Sequence, residues 1–127
     1  MKDISTFEDI QLLVDEFYGK IRADSLLGPV FNRAIDDWEH HLNKMYRFWQ
    51  TLLLEEGTTY FGNPFIKHQP LAISPDHFSQ WLKLWEETII HHFEGSVAEE
   101  ARFRAQKVAY VFQMRLFGRE NIGSFAT

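Results

Sequence analysis

The sequence predicts an all-α fold. Apolar residues recur in alternating steps of three and four along several long segments, the spacing that puts one stripe on a helix surface. Prolines punctuate the joints between segments, and cap-like residues stand where the segments begin. A chain of 127 residues is long enough for one domain with a real core and too short for two, so residues 1–127 are expected to form a single domain.

The first helix is expected to open on a capping box of Ser5 and Glu8. Its stripe is Phe7, Ile10, Val14, Phe17 and Ile21, and it ends near Asp24. Leu26-Leu27-Gly28-Pro29 breaks it, with Val30 and Phe31 following in a short turn region. A second helix runs from about Asp37 to Leu54 with the stripe Trp38, His41, Leu42, Met45, Phe48, Trp49 and Leu52, and Glu55-Glu56-Gly57 closes it. Residues 57 to 72 are punctuated by Gly and Pro, and a loop of that length inside a small domain is often functional. Ser74-Pro75-Asp76 is a helix start: a cap, a proline at the first helical position, then an acid. That helix carries Phe78, Trp81, Leu82, Trp85, Ile89 and Phe93 on one side. Ser96 and Glu99 suggest a further capping box, and the last helix carries Val97, Ala101, Ala105, Val108, Phe112 and Leu116. Four main helices with short connections result.

Composition excludes several classes of function. There is no cysteine, hence no disulfide, no thiolate metal site, no Cys nucleophile and no Cys-x-x-Cys-His haem attachment. A net charge of −5 without clustered basic residues argues against nucleic acid. No apolar run approaches the roughly 18 residues of a membrane span, and the N-terminus has no signal core, so a soluble, cytoplasmic protein is expected. Twelve Phe, four Trp and four Tyr are more aromatics than a bland helical domain needs, and they suit the lining of a large apolar cavity.

Four residues invite a chemical reading. His68 lies in Pro64-Phe65-Ile66-Lys67-His68-Gln69-Pro70, where flanking prolines brace a short element and display the imidazole from one position, as a metal or haem ligand requires. Tyr18, His41 and Trp81 come from three different helices, and each is a hydrogen-bond donor on an otherwise apolar stripe. Taken singly, each is an ordinary core residue whose polar tip finds a carbonyl. His40, His77 and the His91-His92 pair read as surface or helix-end residues. Together, an axial imidazole facing several donors across an aromatic cavity is the arrangement a haem-bound diatomic ligand needs. Two hydrogen bonds to a charged ligand atom, at roughly 1.5–3 kcal/mol each, slow its loss by about two to four powers of ten.

The order of these residues resembles the truncated haemoglobins, most closely group III, over nearly the whole chain. Phe17-Tyr18 is similar to the family's second-helix motif, Leu27-Gly28-Pro29-Val30-Phe31-Asn32 to the segment whose phenylalanine packs on haem, and Trp38-Glu39-His40-His41-Leu42 with Phe48-Trp49 to the distal helix. Lys67-His68-Gln69-Pro70-Leu71 resembles the proximal stretch, and Trp81 in Gln80-Trp81-Leu82 resembles the distal tryptophan. The absence of a Gly-Gly pair fits group III rather than groups I and II. The resemblance implies a globin-like, two-over-two helical sandwich holding non-covalent haem b. His68 is then the proximal iron ligand, Tyr18, His41 and Trp81 face bound dioxygen or another diatomic, Phe31 and Met45 line the pocket, and Lys67 is the candidate partner for a propionate. A monomer or weak oligomer is expected.

Two rivals fit less well. A di-iron bundle needs inward Glu residues and two Glu-x-x-His pairs, and the chain has none. A plain structural or partner-binding domain explains the helices but not the three inward donors beside a proline-framed histidine. Within the globin reading, oxygen binding competes with an enzyme that turns over bound oxygen, nitric oxide or peroxide. With no flavin or nicotinamide domain fused, such an enzyme calls for a separate reductase.

Overall fold

Helix α1 (Phe7–Ala23) begins where Thr6 leaves the helix with extended backbone and accepts a hydrogen bond from the Asp9 N–H. Asp9 returns the favour, taking the N–H groups of Ser5 and Thr6. The capping box is therefore Thr6–Asp9, one residue beyond the expected Ser5–Glu8, because the shorter Asp side chain reaches the cap backbone and also ion-pairs with Lys2 at 2.8 Å. A computed structural model describes residues 1–54 and 73–117; the expected loop, with His68 and Lys67, lies outside the described residues.

Among the described residues there are five helices and no strand: α1, α2 (Leu27–Ala34), α3 (Trp38–Leu54), α4 (Pro75–His92) and α5 (Ser96–Phe117). α1 packs on α2, α3 and α4, while α5 packs on α4 and α3. The pairs α1–α3 and α4–α5 form two layers that meet through α1 and α4. The stripe of α1 is broad enough to serve three neighbours: Ile10, Leu13, Val14, Phe17, Tyr18 and Ile21 are all buried.

α2 corrects the expected turn at Val30-Phe31. Pro29 stands in the first helical turn, where its missing N–H has no intrahelical role. The Asp24 carboxylate accepts from the Leu26 and Leu27 N–H groups and also from the Gln80 amide at 2.8 Å, tying α1, α2 and α4 at one point. A Cβ on Gly28 would sit 2.8 Å from the Arg22 carbonyl oxygen, so only glycine lets α2 start this close to the end of α1.

α3 starts on Asp37, whose carboxylate accepts from the His40 N–H. α4 starts on Ser74 with Pro75 at its first position, as the sequence predicts. His77 is not merely exposed there: its Nδ1 accepts the Ser74 N–H at 3.0 Å and closes the cap. The cap of α5 also differs from expectation. Helix α5 begins on Ser96 itself, and its leading Val97 and Ala98 N–H groups donate to Asp3, 94 and 95 residues away, while Glu99 turns to Arg102. The buried row of α5 is Ala98, Ala101, Ala105 and Ala109, with Val97 packed at its margin. Small side chains let α5 approach closely, and the indole of Trp85 reaches the Ala101 carbonyl at 3.0 Å.

Burial pushes the Asp9 carboxyl up, but Lys2 and the Ser5 and Thr6 N–H groups outweigh it and hold the pKa at about 2, below the ordinary 3.8. A depressed folded pKa contributes stability above the unfolded value that is lost as pH falls through the folded one. Asp9→Asn should therefore cost about 1 kcal/mol at neutral pH, as loss of a cap does. The gap to wild type should narrow as pH falls from about 4 toward 2 in urea unfolding followed by circular dichroism; a gap independent of pH would contradict the assignment.

Candidate functional site

Phe17 and Tyr18 leave α1 side by side and face different neighbours. Phe17 meets α4: its ring stands edge-on to Trp85 at 4.8 Å and to Trp81 at 5.5 Å. The two indoles, one turn apart on α4, lie parallel at 6.3 Å, and Trp85 stacks on Trp49 of α3 at 4.4 Å. Tyr18 faces the other way, toward α2 and α3. It makes edge contacts with Phe31 at 6.2 Å, Trp38 at 5.8 Å and His41 at 5.2 Å. His41 and Trp38 also meet each other at 5.9 Å.

Of the residues the sequence singles out, Tyr18, His41 and Phe31 are brought together directly. Met45, one turn beyond His41, is half-buried against the same core. Trp81 forms no ring contact with Tyr18 or His41; it joins them through Phe17, which touches both Tyr18 and Trp81. His40 points outward and is exposed, so of the two neighbouring histidines His41 is the inner one. The Nε2 atom of His41 is buried. In the sequence Trp38 reads as a stripe residue of the distal helix, and its contact with Tyr18 comes only from the crossing of α1 and α3. Trp85 likewise reads as stripe only, although its indole anchors α5.

The donors have distinct electrostatics. Tyr18 is 6% exposed, and burial alone pushes its hydroxyl well above the ordinary phenol range. It is a neutral O–H at any physiological pH, and it donates to none of the described residues. The half-buried Trp81 indole N–H cannot ionise. A neutral phenol inside aromatic walls can hydrogen-bond a small, partly negative ligand atom without itself placing a charge beside it.

Tyr18 and His41 thus share an aromatic cage at the meeting of α1, α2 and α3, and the Trp81 indole lies beyond Phe17 on α4. The bacterial-like globin family model matches residues 3–113. The chain belongs to the bacterial-like globins. It is 39% identical to the group 3 truncated hemoglobin ctb of Campylobacter jejuni over 115 residues, which is 87% of this chain and 90% of that one. The crystal structure of the group III truncated hemoglobin from Campylobacter jejuni superposes with a TM-score of 0.82 at 37% identity, covering 93% of this chain and 97% of that one. The truncated-haemoglobin resemblance and the two-over-two fold are thereby both shown, and the family is one of haem proteins that bind small diatomic ligands. Among the described residues no helix of this globin is long and apolar enough to cross a membrane.

The buried hydroxyl has a direct optical test. At about pH 11, where ordinary tyrosines ionise, Tyr18→Phe and wild type should show the same tyrosinate absorbance while folded. A smaller signal in the variant would mean that Tyr18 titrates like a surface phenol.

Proposed function

We propose that this globin holds haem b non-covalently and binds dioxygen and other diatomics, with His68 as the proximal iron ligand. The observation that carries the reading is the close pairing of Tyr18 with His41 inside the cage of Phe31 and Trp38. Phe31 and Met45 line the haem, and Lys67 pairs with a propionate. When bound, the haem iron supplies the open position at which a diatomic molecule is taken up.

The chain's own residues then decide how long that molecule stays. Tyr18 keeps its proton and donates it as a hydrogen bond. His41 offers a second donor from one side, and Trp81 a third from beyond Phe17. In a cavity with few competing waters each such bond counts for more than it does in solution. Phe17, Phe31 and Trp38 exclude water and fix the tyrosine ring by edge contacts of about 0.5–1.5 kcal/mol each. The design favours retention of oxygen over rapid exchange. The same donors also polarise an O–O bond, so consumption of nitric oxide by the oxygenated protein, with an added reductase, separates storage from turnover.

His68→Ala should abolish stable haem binding or remove the five-coordinate ferrous spectrum; an unchanged spectrum would assign the iron to another residue. Tyr18→Phe and Trp81→Phe should each change the oxygen dissociation rate by about tenfold or more in stopped flow, as the loss of one charge-assisted hydrogen bond requires. Unaltered rates in both variants would refute the donor network.

A further inference from the structure

We propose that Trp38, braced from outside by Arg22, is a positioning residue that holds His41 against Tyr18 and thereby sets how readily a ligand passes His41. The proposal rests on the reading of Tyr18 and His41 as the ligand side of a haem pocket; it gives Trp38 a role beyond walling the cage and adds Arg22.

Trp38 is the first residue of α3. The Asp37 cap fixes the turn that carries it: the Asp37 carboxylate accepts from the His40 N–H and the Asp37 carbonyl from the His41 N–H, both at 3.1 Å. The three-residue step places Trp38 and His41 on one face, and both meet Tyr18 of α1. The result is a closed triangle of rings. Tyr18–His41 and Trp38–His41 are both 87° edge contacts, and Tyr18–Trp38 is a 65° one. An imidazole that leaves this triangle gives up two ring contacts together.

The triangle is closed on its outer side by a cation. Arg22 lies one turn after Tyr18 on α1, and its guanidinium covers the Trp38 ring at 4.4 Å from the centroid. Helices α1 and α3 are therefore bridged at neighbouring levels, by Tyr18 on His41 and Trp38 and by Arg22 on Trp38. The half-buried Trp38 is the boundary element: it meets Tyr18 and His41 and carries the arginine over its ring.

The consequence is a graded one. Losing a cation–π contact at a partly exposed site shifts a two-state balance by about two- to fivefold. Arg22→Gln should therefore raise the carbon monoxide association rate of the haem-loaded protein by that factor, with Arg22→Lys restoring part of it. Trp38→Ala should raise it further, and Trp38→Phe should fall between wild type and Trp38→Ala. The discriminating variant is His41→Ala: if Trp38 acts through His41, adding Trp38→Ala to His41→Ala leaves the association rate unchanged. A rise of equal size in both backgrounds would make Trp38 a barrier in its own right and overturn the proposal. Nuclear magnetic resonance of the His41 ring protons in the protein as purified supplies a readout independent of ligand kinetics. The ring-current shifts from Tyr18 and Trp38 should collapse in Trp38→Ala, and shifts identical to wild type would also overturn the proposal. If wild type takes up no haem, the pocket reading fails while the proton shifts still decide whether Trp38 holds His41.

Discussion

The perpendicular seating of Phe17 on the Trp81–Trp85 pair is the constraint on which the rest of this molecule depends. Phe17 is 1% exposed, and its ring plane is fixed by two parallel indoles and by its neighbour Tyr18. Trp85 in turn stacks on Trp49 and donates to the Ala101 carbonyl, so one aromatic node spans α1, α3, α4 and α5. With the rotation of α1 fixed by Phe17, the next residue has no choice of direction. Tyr18 must face α2 and α3, where Phe31, Trp38 and His41 await it. The core and the candidate site are thus two sides of the same dipeptide. A change that loosens Phe17 moves the site without touching it.

The polar ties are arranged around this node at the ends of the helices. Asp24 joins α1, α2 and α4, Asp3 joins the N-terminal residues to α5, and Asp9 closes the start of α1. Each carboxylate satisfies backbone N–H groups that a helix start leaves without intrahelical partners. Burial raises the pKa of Asp3, yet the N–H groups of Val97, Ala98 and Ile4 more than offset it and keep the carboxyl below its ordinary value. The aromatic interior sets the orientation of the helices, and the capping acids set where they begin.

What the sequence disclosed follows the range of the forces involved. The 3.6-residue stripes of α1, α3 and α4 are local signals, and Ile10, Phe17, Trp49, Trp85 and Ile89 are buried as their spacing required. The start of α4 at Ser74-Pro75 is equally local. The cap of α5 was not readable because its acid, Asp3, lies more than ninety residues away, and the nearer Ser96–Glu99 pattern was a decoy. α2 was hidden by Gly28-Pro29, which reads as a break but serves a first helical turn packed on the end of α1. In the site, the inward positions of Tyr18 and His41 followed from periodicity, and so did the choice of His41 over His40. The role of Trp38 did not, since only the crossing of α1 and α3 brings Arg22 over its ring.

In the proposed function a neutral, buried Tyr18 hydroxyl donates to the ligand, held in place by the aromatic node behind it. The C–O stretching frequency of the carbon monoxide complex of the haem-loaded protein reads that donation directly. Wild type should show a low frequency, characteristic of strong hydrogen-bond donation, that moves upward in Tyr18→Phe. A wild-type frequency typical of an apolar pocket, unchanged by the substitution, would contradict it.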